Sequence, residues 1–217
     1  MRKSLLILLV SAGMTLALGA QEATVSFLMA FVKRTPEGSP AKVDFSERVN
    51  VKPGDLFKIY LQPSPGSYVY LFLHDAQDDL QVLFPGTFAA FASRSYAQTM
   101  ITIPEGEEWF ALDNEKGTER FYLLASAERL RTLESLVTAH QKTASKKGST
   151  VAAVNAARQA VLDEMRLLIK AHSQLAAAAE KPVTIGGGTR GPTKAVEELA
   201  IRIDAGIFYS RTFRLEH

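Results

Sequence analysis

Four histidines, His74, His140, His172 and His217, are the imidazoles available for proton transfer or metal binding in a chain with no cysteine. His74 lies in a dense polar run, His74-Asp75-Ala76-Gln77-Asp78-Asp79. An imidazole beside carboxylates at a strand end can bind a divalent cation or move a proton. The same run also reads as a hairpin tip, because Asp accepts hydrogen bonds from its own backbone in turns. The calcium-loop pattern of alternating Asp or Asn ending in Glu is absent. The turn is therefore the preferred reading of Asp75, Asp78 and Asp79, and no metal or other cofactor is assigned.

A second cluster surrounds the lone tryptophan. Glu105, Glu107, Glu108 and Asp113 flank Trp109. Carboxylates beside an aromatic face are the chemistry of a sugar site. Trp109, Glu107 and Asp113 are thus the candidate contacts for a glycan or peptidoglycan. Against this stands packing, the commoner role of large aromatics. Nucleophilic hydrolysis has no local support, since no Gly-x-Ser-x-Gly turn is present. Gly186 to Pro192 lacks the Lys-Ser/Thr ending of a phosphate loop and leads towards a strand, so it reads as a linker. No catalytic residue is assigned, and the chain is expected not to be an enzyme.

Two features fit a partner protein. Thr87 to Tyr96 (TFAAFASRSY) is an apolar connection in which Phe88, Phe91 and Tyr96 either form an exposed patch or tuck under a sheet. The second is a long amphipathic helix from Val151 to about Glu180, whose stripe carries Met165 and Ile169 but also Arg158 and His172. It reads either as a docking arm for an envelope protein or a second copy, or as packing against the protein's own core.

These residues need elements to hold them. Val25, Phe27, Met29 and Phe31 alternate along a first strand. Asp55–Gln62, Tyr68–His74, Leu80–Phe84, Met100–Ile103, Glu108–Leu112 and Arg120–Ala125 are short, bounded by Pro, Gly and Asp, and read as strands. In Tyr68–His74, Tyr68, Tyr70 and Phe72 share one face and Val69, Leu71 and Leu73 the other, the pattern of a central strand. Ser126 is the expected N-cap of a helix over Ala127 to about Gln141, and Ser149 or Thr150 that of the second helix. After the Gly-rich loop, Leu199–Ile203 and Ile207–Leu215 return to strand pattern, with Gly206 between them. The expected fold is mainly β: an antiparallel β-sandwich, immunoglobulin-like or related, plus a long helical hairpin. The hairpin, about 127–181, reads as an insertion within one β-rich domain of residues 21–217.

The chain has 217 residues, 47% of them hydrophobic, which excludes a disordered or collagen-like chain. Arg2 and Lys3 precede the apolar run Leu5–Val10, and small residues Gly19 and Ala20 end it. This is the pattern of a signal peptide over residues 1–20. Cleavage removes two of the 25 basic residues and none of the 23 acidic ones, so the mature chain carries no net charge. That balance argues against nucleic acid as a partner. No second apolar run approaches membrane length, so no stable span is expected after cleavage. The expected location is exported: the periplasm, or outside the cell.

Lys52-Pro53-Gly54-Asp55-Leu56, Ile59-Tyr60-Leu61, Tyr68-Val69-Tyr70-Leu71-Phe72, Val82-Leu83-Phe84-Pro85, Ile103-Pro104, Trp109-Phe110 and Gly117-Thr118-Glu119-Arg120 follow one another in order, leading to Leu124-Ala125-Ser126. In this order and spacing the segment Val51–Ala127 resembles the bacterial family known as domain of unknown function 4384. The resemblance implies a β-rich extracytoplasmic module of the accessory kind and brings no catalytic residues with it. It thereby favours a non-catalytic binding or assembly module that positions an envelope protein, with the glycan-binding domain as the alternative. The exported chain is expected to begin at Gln21, which the intact mass of the mature protein checks.

Overall fold

The computed structural model describes residues 24–45, 49–93, 96–97, 99–112, 116–175, 177–182 and 199–216. The expected signal peptide and the Gly-rich loop 186–192 lie outside them. Among the described residues, twelve strands and two helices follow in the order β1 (Val25–Arg34), β2 (Pro40–Lys42), β3 (Val49–Asn50), β4 (Leu56–Pro63), β5 (Tyr68–His74), β6 (Leu80–Phe84), β7 (Ile101–Ile103), β8 (Phe110–Ala111), β9 (Thr118–Ser126), α1 (Arg131–Ser145), α2 (Val151–Ala171), β10 (Ala179–Pro182), β11 (Ile201–Ala205) and β12 (Phe208–Glu216). A short 3-10 helix spans Phe88–Ala92.

The strands form two sheets. One has the order β10-β11-β1-β4-β7, with β2 beside β1 and β8 beside β4; the other runs β3-β12-β9-β5-β6. Every pair is antiparallel except β3 with β12. The expected sandwich is thus observed. Period-two alternation brings Phe27, Met29 and Phe31 of β1, and Phe57, Ile59 and Leu61 of β4, against Val69, Leu71, Phe121 and Leu123 of the second sheet.

Strand β5 explains the third layer. Its other face, Tyr70 and Phe72, is also fully buried and meets Leu133 and Val137 of α1 and Val161, Leu162 and Met165 of α2. The helical hairpin is the lid of the second sheet. Burying each such side chain contributes roughly 1.5–3 kcal/mol. A buried polar network fixes where α1 lands. The Tyr70 hydroxyl donates to Glu134 Oε1 at 2.8 Å and accepts from the Leu130 N–H at 2.9 Å. Arg129 Nε donates to Glu134 Oε1 at 2.9 Å, and its second arm pairs with Glu134 Oε2.

Three expectations are corrected here. The first helix starts at Arg131, not Ala127, and Ser126 does not cap it. Ser126 ends β9, and its hydroxyl accepts from the Glu128 N–H at 3.2 Å. Thr150 does cap α2, accepting from the Ala153 N–H. That helix ends at Ala171 rather than near Glu180, because Ala179–Pro182 leaves it to pair with β11 as an edge strand. At 21 residues it is about 32 Å long.

Two tight connections cross between the sheets at one end of the sandwich, β4 to β5 and β11 to β12. Hydrogen bonds tie them to β1: Ser26 N–H donates to Ser67 Oγ at 2.8 Å, and Val25 N–H to the Gly206 carbonyl at 2.9 Å. Gly117 permits a close approach instead of a bend, since a Cβ there would lie 2.3 Å from that of Ala76.

Burial raises the Glu134 carboxyl, but hydrogen bonds from Arg129 and Tyr70 more than offset it, and the group titrates below its ordinary value of 4.5. A depressed folded value gives stability that is present above pH 4.5 and lost as the pH falls through the folded value. Chemical denaturation of Glu134→Gln is therefore expected to show a shallower stability loss below that pH than the parent chain. Tyr70→Phe, which orphans the Leu130 N–H, is expected to cost about 1–3 kcal/mol at neutral pH.

Candidate binding groove

β6 and β7 are the edge strands of the two sheets on the same flank of the sandwich. Each is followed by proline, Pro85 and Pro104, which has no N–H to extend a ladder. Both prolines follow cis peptide bonds. Between the edges lies an open cleft of about 470 Å³. Val82, Leu83, Phe84 and Pro85 form one wall, Ile101, Ile103, Pro104 and Phe110 the other, and Ala90, Ser93 and Tyr96 close one end. Among the described residues that line it, Glu105 is the one charged side chain.

Tyr96 holds this end in place. β6 pairs with β5 from Leu71 onward, which leaves Val69 beyond its reach. The Tyr96 hydroxyl accepts from the Val69 N–H at 2.7 Å and so takes the place of the missing strand. Its ring stacks on Phe84, with centroids 5.5 Å apart. Burial pushes the Tyr96 hydroxyl pKa well above its usual value, so it stays protonated at any working pH. Phe91 packs edge-on against Tyr68 and Tyr70 and under the Arg129 guanidinium. Phe88 lies against Tyr70. Of the two readings of this connection, the structure has the tucked one: all three rings are half-buried against the sheet. Met165 is 1% exposed and Ile169 half-buried in the helical layer, so Met165 belongs to the core and offers no outer surface.

Trp109 sits elsewhere, on the outer face of the seven-stranded sheet with Tyr60, Val32 and Leu199. Lys58, 3% exposed, places Nζ 5.2 Å from the centre of the Trp109 ring and donates to the Gly106 carbonyl at 2.7 Å. Burial lowers the Lys58 pKa, and the nearby Glu107 and Glu108 partly restore it. Glu107 and Glu108 are exposed on the strap 104–110 that Lys58 anchors. Asp113 lies outside the described residues.

The polar run after β5 is a hairpin tip. His74 Nε2 lies 2.7 Å from Asp78 Oδ1, the Asp79 N–H donates to Asp75 Oδ1 at 2.7 Å, and Arg158 of α2 pairs with Asp78. The His74 hydrogen bond, with Arg158 behind it, lowers the Asp78 pKa. Among the described residues no group of three or more His, Cys, Asp or Glu is placed to hold a metal ion.

The sequence reading missed the groove-lining Leu83, Ile101 and Ile103, although it placed them on strands. It also missed a smaller cavity of about 230 Å³ on the other flank. There Glu180 of β10 accepts from the Tyr209 hydroxyl at 3.0 Å and from Arg211 at 2.8 and 2.9 Å. The one local signal for β10 is Pro182, which cannot continue a helix past Glu180.

Residues 50–129 match the family model described as Domain of unknown function (DUF4384). No curated protein and no solved structure gives a significant match to the chain. The matched stretch contains every residue named in the groove walls. The helical hairpin, β1 and β10–β12 lie outside it.

Tyr96→Phe is expected to lower stability by about 1–3 kcal/mol, because the Val69 N–H loses its acceptor inside the fold. Denaturant titration checks this, and slower amide exchange at Val69 in the parent chain than in the variant locates the effect.

Proposed function

We propose that this chain is an exported, non-catalytic module that binds and positions another cell-envelope protein, with the groove between β6 and β7 as its contact. One observation carries the reading: the cleft is apolar, is open, and is bounded by two strand edges without strand partners among the described residues. Unpaired edges invite pairing with another chain unless they are covered. Apolar walls reward whatever covers them at roughly 25 cal/mol per Å². The leader-like start of the chain supports export, to the periplasm in a cell with two membranes. The walls fall wholly within the stretch that matches the family model. The glycan alternative draws less support, since Lys58 and the neighbouring apolar side chains already engage Trp109.

A photocrosslinking residue at position 83, in the wall, is compared in living cells with one at position 170, exposed on α2. A discrete partner is expected from 83 and not from 170. Ile101→Glu should cut its yield at least about tenfold, since a charge replaces apolar contact. Thermal unfolding of that variant confirms that it folds. The same products from both positions, or none from 83 in cells that accumulate the chain, overturn the reading.

A further inference from the structure

We propose that the groove takes an extended segment of its partner as an added strand beside β6, and that this segment carries apolar residues at alternate positions and a Lys or Arg at its end. The inference rests on the binding function above and names the chemistry of the partner.

Strand β6 has five residues and, among the described residues, pairs on one side only, with β5. At about 3.3 Å per residue its free edge offers about 16 Å of backbone donors and acceptors. β7, with three residues, offers less. A strand laid along β6 points every second side chain between the sheets, towards Ile101, Ile103 and Phe110. The inward positions must therefore be apolar and the outward ones face water.

Charge selects the end of the segment. The strap that forms the far wall carries three exposed or cleft-lining carboxylates, Glu105, Glu107 and Glu108. Lys58, the base that anchors the strap, lies buried beneath it and points at Trp109 and Gly106. The cleft rim is thus negative where a bound segment leaves it. A basic residue there gains attraction, and an acidic one is repelled. A wholly apolar small molecule satisfies the walls but neither the strand edge nor the rim.

The test uses the mature chain, isotope-labelled, and three probes: the peptide Lys-Val-Thr-Val-Thr-Val-Lys, its Glu-ended counterpart, and the Lys-ended peptide N-methylated at alternate residues. Amide shifts and hydrogen exchange are read at Gln81–Phe84. The Lys-ended peptide is expected to bind with slowed exchange along β6, at least about tenfold tighter than the Glu-ended one. Glu105→Gln should remove most of that difference. Equal binding of both charge forms, undiminished binding of the methylated peptide, shifts confined to another surface, or no binding of the Lys-ended peptide each overturns the inference. So does dimerisation of the peptide-free chain through β6, which identifies a second copy as the occupant. The crosslink from position 83 reads a partner of any chemistry. Its persistence after a failed peptide test sinks the added strand alone, whereas its loss sinks the binding function itself.

Discussion

Strand β5 has no solvent face, and a strand of that kind must be covered twice. Val69 and Leu71 are covered by the facing sheet, Tyr70 and Phe72 by the helical hairpin. Apolar burial alone is non-directional and would let the hairpin slide. The Tyr70 hydroxyl removes that freedom. It stands in the middle of the apolar interface and must be satisfied, which it is by Glu134 and by the Leu130 N–H at the start of α1. Glu134, itself buried, then requires Arg129, and Arg129 lies over Phe91 in the connection after β6. One hydroxyl thereby couples the sheet, the helix start and the loop that closes the groove.

The same chain of contacts decides what the helices are for. Leu133, Val137, Val161 and Met165 are at most 1% exposed. A helix that spends its apolar stripe on its own sheet has none left for a partner. The outward face of α2 is made of residues such as Gln159, Asp163, Arg166 and Lys170, with Val151 at its start and Leu167 as exposed apolar exceptions. Contact with another protein is better served where the structure leaves apolar side chains and backbone edges uncovered together, and that is the flank of β6 and β7.

Much of this was legible residue by residue. The double-sided apolar pattern of Tyr68–His74 marked the central strand, and Thr150 marked the start of α2. What failed was local reasoning about ends. Ser126 is a good cap type, but its place at the end of β9 was set by pairing with Phe208, far along the chain. Ala177 to Glu180 continues a helical composition, yet pairing with β11 claims Ala179–Pro182 as a strand. Edge status has the same origin. Leu80–Phe84 is apolar at four of its five positions, and the order of strands is what makes it an edge. A groove built from two edges could not be read before that order was known.

The two flanks of the sandwich show what an edge becomes when it is closed and when it is not. On the flank of β10, Glu180 joins Tyr209 and Arg211 across the gap between the sheets, and the residual cavity is about 230 Å³. Burial and the adjacent Glu180 carboxylate both drive the Tyr209 pKa upward, which keeps its hydroxyl a donor to that carboxylate. On the flank of β6 no such ion pair spans the gap among the described residues, and the cleft is about twice as large with apolar walls. Its closure is partial and local: Tyr96 satisfies Val69, where β6 has ended, and leaves Leu80–Phe84 without a second strand among the described residues. An edge that the fold merely tolerated would gain from the same device carried further. Stopping it at Val69 keeps the end of the groove rigid while its length stays open.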